Sequence, residues 1–221
     1  RVSANEEAIR CFTYALSLLE TLPPTRDRDE RELSLRSGLS VALNSARGYA
    51  SLEVEQNLDR VFALSRANGQ GQLPVRWLWV AFTHRFMLGD LKGTREASEQ
   101  ALAFSASDLA CRCEAHHAMG GMLLSVGELE AARQHFEASL AAYDERNPQR
   151  SALGSDLGVF AHAWYSHALW LLGEDDAAVA HADQGITLSR RLDHLFSQTI
   201  ALAYGALLHQ MRGDSARVLE C

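Results

Sequence analysis

Residues 120–140, GGMLLSVGELEAARQHFEASL, contain the pattern that decides the fold of this chain. An apolar segment leads to Gly127, an acidic residue follows that glycine, and an Ala-rich segment comes next. Residues 172–186, LGEDDAAVAHADQGI, repeat the same order around Gly173. Glycine readily adopts the left-handed conformation that ends a helix, and an acidic residue is favourable at the start of the next helix. Each stretch therefore predicts a helical hairpin.

The same turn occurs on either side of these two copies. Gly89 and Gly213 are each followed by an aspartate, so the four turn glycines lie 38, 46 and 40 residues apart. Each interval holds two helices of ordinary length, and a repeat at this period predicts stacked hairpins. No run alternates with the period of two that strands require. We expect an all-α chain with helices near residues 4–20, 27–46, 51–67, 74–88, 91–106, 108–126, 129–144, 155–172, 175–191, 194–212 and 215–221.

The copy around Gly127 resembles the tetratricopeptide repeat. Ala132 and Ser139 are small residues 5 and 12 positions after the glycine, and the bulky Phe136 follows it by nine. Gly120 lies seven residues before the turn, where a close helix crossing leaves no room for a side chain. The resemblance implies a right-handed superhelix of stacked antiparallel hairpins, used as a binding surface.

The two ends of the sequence start and stop within a repeat. Ser3 and Glu6 form a predicted capping box at the start of what looks like a second repeat helix. Residues 215–221 begin another second helix. We expect one repeat domain, residues 1–221, that is excised from a longer chain at both ends.

A second, closer resemblance is carried by residues 47–55, 135–144, 168–173 and 207–210. The chain is similar to the C-terminal repeat region of large bacterial signalling proteins. In that family a class III nucleotide cyclase, a kinase or a DNA-binding module precedes a signal-transducing ATPase module, and helical repeats follow. The resemblance implies a non-catalytic regulatory segment, since none of the upstream modules lies within these residues.

Composition argues against several other classes of protein. The net charge of −7 disfavours duplex DNA or an anionic membrane as the main ligand, because phosphate groups need a basic surface. No secretory apolar region opens the chain, and the most apolar stretch, residues 157–173, is shorter than a membrane span. Four cysteines in 221 residues do not make a disulfide framework. We therefore expect a cytoplasmic protein that binds neither nucleic acid nor membrane.

Sequence motifs for chemistry are scarce. The chain has no phosphate-binding Gly-x-x-x-x-Gly-Lys loop, no Gly-x-Ser-x-Gly elbow and no His-Glu-x-x-His motif. Cys113 and His117 lie four residues apart and could face one metal ion, but the sequence offers no second ligand pair. We predict no catalytic residue, no metal and no cofactor, with the thiols buried between helices.

The tetratricopeptide resemblance also implies which residues meet a partner. In that family the first helix of each pair lines a concave groove, and aromatic residues beside polar ones suit a peptide or protein segment. The partner could also be the ATPase or cyclase module of the same chain. The alternative is that the tryptophans are ordinary core residues. The predicted groove positions are Arg76, Trp79, Thr83, Phe86, Glu114, His117, Gly121, Ser125, Phe160, His167, Trp170 and Gln210.

Two other functions stay open at this stage. One is a small-molecule sensor or enzyme pocket within the stack, with His117 or His167 acting on protons. The other is a structural oligomerisation spacer that needs no groove ligand, and a homodimer through exposed repeat ends is open as well. At the edge near Val218 and Leu219, however, we expect self-association to reflect the missing next helix. The shape of the site distinguishes an enzyme from a docking module. An enzyme needs a closed pocket of convergent titratable groups, whereas a docking module needs an open surface.

Overall fold

A computed structural model describes residues 4–67, 75–106, 111–151 and 154–221, without the side chains of residues 75 and 76. Ser3 of the predicted capping box, residue 74 of the predicted helix 74–88 and residues 108–110 of the predicted helix 108–126 lie outside the described residues. The described part contains eleven helices: α1 (Ala4–Glu20), α2 (Arg26–Arg47), α3 (Leu52–Ala67), α4 (Val75–Leu88), α5 (Leu91–Ser105), α6 (Arg112–Ser125), α7 (Leu129–Ala142), α8 (Leu157–Leu171), α9 (Asp175–Arg191), α10 (Leu195–Met211) and α11 (Ser215–Glu220).

The all-helical prediction is confirmed for this described part. Its one β-type contact is an isolated antiparallel bridge between Arg150 and Asp156. Most helix bounds agree with the sequence prediction within two residues. Helix α8 begins at Leu157 because the Asp156 carboxylate caps it, accepting a hydrogen bond from the Val159 backbone N–H at 3.0 Å.

The four predicted turns are present. Each turn glycine has a positive φ, and the residue after it donates its backbone N–H to the carbonyl oxygen five residues earlier. In the turn at Gly127, which has φ 80°, the Glu128 N–H lies 3.0 Å from the Leu123 carbonyl oxygen. This is the Schellman arrangement, in which the turn uses carbonyl groups that the helix end would leave without a donor.

The chain divides into two compact units, Arg1–Ala97 and Ser98–Cys221. Unit 1 contains α1 to α4 and the first residues of α5, and α2 packs between α1 and α3. Unit 2 contains the rest of α5 and α6 to α11, in which each helix packs against its neighbour along the chain from α6 onwards. The interpretation of residues 1–221 as one repeat domain stays a prediction.

Helix α6 crosses its neighbours in unit 2 at two adjacent glycines. A Cβ built on Gly120 would lie 2.7 Å from the Phe136 ring of α7, and one built on Gly121 would lie 1.8 Å from the Trp164 ring of α8. Real Cβ atoms do not approach other atoms so closely. The predicted close crossing at Gly120 is therefore confirmed, and Gly121 does the same for a second helix.

Replacing the turn glycine of unit 2 tests the hairpin directly. We expect Gly127→Val to lower the free energy of unfolding by about 1–2 kcal/mol, because a β-branched residue is strained at positive φ. Urea unfolding followed by circular dichroism measures the loss. Gly127→Asn is the matched control and should cost less, since Asn tolerates this region. Equal stability of the valine variant and the native chain would contradict a left-handed turn.

Candidate functional site

The candidate site is a group of half-buried rings on α8 and α10, which we call the aromatic face and define as Phe160, His167, Trp170 and Tyr204. The three α8 residues share one side of that helix, since they are seven and three positions apart. The Tyr204 ring from α10 lies 5.8 Å from the Phe160 ring and 5.4 Å from the His167 ring, between centroids. These rings form a surface shared by two neighbouring helices of unit 2.

A hydrogen bond fixes the orientation of His167. Its Nε2 lies 2.9 Å from the Tyr204 backbone carbonyl oxygen. A carbonyl oxygen only accepts, so Nε2 carries the proton and donates it. Burial lowers the pKa of His167, and the bond to Tyr204 only partly offsets this. The imidazole is therefore neutral at pH 7 and acts here as a flat ring with one engaged N–H.

Two buried rings lie beneath the aromatic face. Trp164 is 7% exposed and His117 is fully buried. The centroid of the His117 ring lies 4.8 Å from that of Phe160 and 4.8 Å from that of Trp164. Burial lowers the pKa of His117 to about 3, so this imidazole is uncharged. His117 was predicted to meet a partner, but in this structure it supports the rings that reach the surface.

The predicted groove residues of unit 1 have a different character. Trp79 is only 3% exposed and stacks on Phe82 with centroids 5.2 Å apart, so it is a core residue as the alternative interpretation held. Phe86 is half-buried and stacks on the other side of Phe82 at 5.6 Å. The Thr83 hydroxyl donates to the Trp79 carbonyl oxygen at 2.9 Å. The side chain of Arg76 lies outside the described residues.

The remaining predicted positions of unit 2 lie apart from the aromatic face or have no ring contact with it. Glu114 is half-buried near the start of α6. Ser125 is exposed at the end of α6, and its hydroxyl donates to the Gly121 carbonyl oxygen at 2.8 Å. Gln210 is exposed near the end of α10. Of the predicted set, ring contacts bring together His117, Phe160 and, through Tyr204, His167, and Trp170 lies on the same side of α8 as Phe160 and His167.

Sequence reasoning missed Tyr204, and it considered Trp164 only as an ordinary core tryptophan, although a signal for both was present. Each lies nine residues before a turn glycine, Trp164 before Gly173 and Tyr204 before Gly213. The corresponding position of the Gly127 turn is Ala118, so the ring occurs in two successive repeats only. A comparison of repeats by position would have found them.

Two successive hairpins of unit 2 each contain a pair of histidines that joins the first helix of the hairpin to the second. His116 Nδ1 of α6 lies 3.1 Å from His135 Nδ1 of α7, and His162 Nδ1 of α8 lies 2.9 Å from His181 Nδ1 of α9. Each pair spans 19 residues, and the second pair follows the first by 46, the interval between Gly127 and Gly173. One Nδ1 of each pair must donate and the other accept. The pairs thus tie the first helix to the second helix at equivalent places.

Burial keeps these paired imidazoles neutral. It lowers the pKa of each of the four rings, and for His162 burial together with the neighbouring His181 lowers the pKa to about 4. The carboxylate of Glu137 opposes the effect of burial on His181. The resulting native state binds fewer protons than the unfolded chain at mildly acidic pH.

The described residues contain no cluster of three or more His, Cys, Asp or Glu side chains with metal-binding geometry. The Cys113 Sγ lies 3.5 Å from the Ser139 hydroxyl of α7, and burial raises the pKa of its thiol to about 11. The His117 ring instead contacts Phe136, Phe160 and Trp164. All four cysteines are free thiols. No helix among the described residues has the length and apolar composition of a membrane span.

Comparison with known proteins gives a likeness of fold. No family model matches the chain, and no curated protein matches it. A solved structure, that of BtubC (BKLC) from P. vanneervenii, superposes with a TM-score of 0.63 at 12% identity. The match covers 100% of this chain and 89% of that one. At this identity the likeness concerns the helical fold alone.

The paired histidines predict an acid-sensitive unit 2. The pKa of His162 is lowered from 6.5 to about 4, so its contribution to stability is complete above pH 6.5 and is lost as the pH falls towards 4. Urea unfolding gives the free energy of unfolding at pH 5 and at pH 7. We expect the difference between these two free energies to be smaller in His162→Gln than in the native chain, by on the order of 1–2 kcal/mol.

The solvent-exposed substitution Glu130→Gln serves as the control and should leave the difference between the two pH values unchanged. An equal difference in His162→Gln and the native chain would show that this histidine is not held neutral by burial.

Proposed function

We propose that this chain is a non-catalytic docking segment whose aromatic face binds a peptide or protein segment. In this proposal the hairpins form a tetratricopeptide-like right-handed superhelix within a bacterial signalling protein. The observation that carries the proposal is the group of half-buried rings, Phe160, His167, Trp170 and Tyr204, on adjacent helices of unit 2.

The physical argument rests on what such rings contribute at an interface. Aromatic side chains bury a large area while fixing few torsion angles, so they bind at a low cost in conformational entropy. Within the aromatic face, Phe160 packs on both Trp164 and His117, and Tyr204 packs on Trp164, so this packing limits the movement of two of its rings. A surface that is ordered before binding loses less freedom on binding.

The repeat interpretation is supported by residues that correspond across the 46-residue interval. Ala132 and Ala178 occupy equivalent positions after their turn glycines, and both are fully buried. The two histidine pairs correspond in the same way. A chain that places small residues and paired rings at one interval stacks similar hairpins. The match to BtubC supports a helical architecture and carries nothing about the ligand.

In a signalling protein the docking segment would bias an attached ATPase or cyclase module between states. The partner is then either a separate protein segment or that module itself. Such coupling requires that the partner bind the two states with different affinity. A self-assembling spacer, with a homodimer through the repeat ends, remains the competing structural interpretation and would leave the aromatic face without a ligand.

The enzyme alternative is less well supported by the side chains of the face. Its one titratable imidazole, His167, donates from Nε2 to a backbone carbonyl, and burial lowers its pKa. A general base needs a nearby proton to abstract and a pKa close to the working pH. The prediction that the chain is not an enzyme therefore stays part of this proposal.

A matched pair of variants tests the docking surface. Peptides are selected from a random display library against the native chain, and their affinities are then measured for Trp170→Ala and Glu130→Ala by fluorescence anisotropy. We expect Trp170→Ala to weaken binding about 30-fold or more, as loss of an aromatic hot spot does. Glu130 is exposed on α7, a helix that contributes no ring to the aromatic face, and its replacement should change little. Equal loss from both variants, or loss from Glu130→Ala alone, would move the interface off the aromatic face.

A further inference from the structure

Unit 1 contains a cavity of about 660 Å³ between α1, α2 and α3. Ile9 of α1 and Leu39 and Leu43 of α2 supply apolar lining. The volume falls within the range of about 300–1,000 Å³ that is usual for small-molecule sites. Such sites combine an apolar surface with a few convergent polar groups. The remaining lining residues decide which ligand this cavity fits.

Three arginines, Arg28, Arg36 and Arg60, line the cavity. Arg36 Nε and Arg60 Nε both donate to Glu32 Oε1 at 2.8 Å, and Arg60 Nη2 donates to Glu32 Oε2 at 2.9 Å. Arg36 Nη1 also donates to the Asn57 side-chain oxygen at 3.0 Å. This network holds two of the guanidinium groups side by side, so their positions are set before any ligand arrives.

Glu32 neutralises only part of this positive charge. It is 4% exposed, and although burial alone would raise its pKa, the hydrogen bonds from Arg60 and Arg36 outweigh burial and lower it. The carboxylate is therefore ionised and balances one of the two arginines that contact it. One positive charge remains, together with that of Arg28.

Arg28 has no carboxylate within ion-pair distance among the described residues. It lies one helical turn before Glu32 on the same side of α2, but the Glu32 oxygens are occupied by the other two arginines. Its Nη1 donates to the Leu22 carbonyl oxygen at 3.0 Å, and its buried Nε has no hydrogen-bond partner. A buried N–H without an acceptor is costly, and a ligand oxygen would remove that cost.

Two carboxylates in the lining oppose an anion. Glu20 of α1 is exposed, and it raises the pKa of Arg60 through space without forming an ion pair. The Glu53 carboxylate of α3 forms an ion pair with Arg47, with Glu53 Oε1 3.5 Å from Arg47 Nε, so its negative charge is already balanced. Asp29, beside Arg28 in the sequence, also acts on Arg60 through space. Glu20 is thus the side chain in the lining whose removal should most favour an anion.

We propose that this cavity binds an organic anion in which a carboxylate or phosphate group is attached to an aliphatic chain. Arg28 and the unoccupied nitrogens of Arg36 and Arg60 hold the oxyanion, as guanidinium groups do with carboxylate and phosphate oxygens. The aliphatic part contacts Leu39 and Leu43, which lie one and two turns beyond Arg36 on α2, within about 10 Å along the helix axis. The site lies in unit 1 and is independent of the aromatic face.

The proposal is tested with five probes: hexanoate, hexyl phosphate, acetate, inorganic phosphate and hexylammonium. Their binding to the whole chain is followed by the NMR chemical shifts of the arginine Nε–H groups. We expect hexanoate or hexyl phosphate to bind more tightly than its chain-free counterpart, and hexylammonium to leave the Arg28 signal in place. Comparing hexanoate with hexyl phosphate distinguishes a carboxylate ligand from a phosphate ligand. Tighter binding of hexylammonium than of the anions would overturn the proposal. So would equal affinity within both pairs, that is, hexanoate equal to acetate and hexyl phosphate equal to inorganic phosphate.

Substitutions then assign the site. Arg28→Gln should weaken binding of the preferred probe about tenfold, which is the usual loss for a hydrogen bond to a charged group. Glu20→Gln should strengthen binding, a change that a purely structural role of the cluster would not produce. Arg31→Gln is the control, because Arg31 lies on the same helix and pairs with Asp27 outside the cavity lining. Equal affinity of Arg28→Gln and Arg31→Gln for the probe would refute the assignment.

Discussion

Helix α6 has no room for a side chain at residues 120 and 121, and the packing of unit 2 depends on this. One glycine admits the Phe136 ring of α7, and the other admits the Trp164 ring of α8. Both rings are almost completely buried. Because adjacent positions on a helix point in different directions, two consecutive glycines allow α6 to approach two different helices. A ring from each neighbour can then occupy the space that a side chain would fill.

The aromatic face follows from this close approach. Trp164 lies against Gly121 and also contacts Phe160 and Tyr204, with ring centroids 4.7 Å and 6.3 Å away. If α6 stood farther from α8, Trp164 would lose its support and the rings above it would lose theirs. The histidine pairs add a polar tie within each hairpin, between α6 and α7 and between α8 and α9. Apolar packing sets the distance between helices, and these ties fix the positions of the helices in each pair.

The sequence predicts the helices and their turns well, because both depend on local chemistry. A glycine followed by an acid marks each turn through its backbone conformation, whatever the partner helix is. The same reasoning predicts Gly120 as a crossing point, since a repeat pattern places it opposite the second helix. Sequence reasoning predicted less well which side chains are exposed to solvent. It assigned Trp79 and His117 to a groove, although both are buried. Whether a ring at helical spacing faces a partner or the core depends on the neighbouring helix, which one helix's own sequence does not specify. The triad of Arg28, Arg36 and Arg60 was missed for the same reason, because Arg60 reaches it from another helix.

A double-mutant cycle between Gly121 and Trp164 tests the central claim that the close approach of α6 and α8 seats the ring beneath the aromatic face. In the native background Gly121→Ala should lower the free energy of unfolding by about 1–3 kcal/mol, as overpacking of a core does. In a Trp164→Leu background the added methyl group has space, and the same substitution should cost less than about 0.5 kcal/mol. The account predicts this coupling in urea unfolding at pH 7. An equal cost of Gly121→Ala in both backgrounds would contradict it.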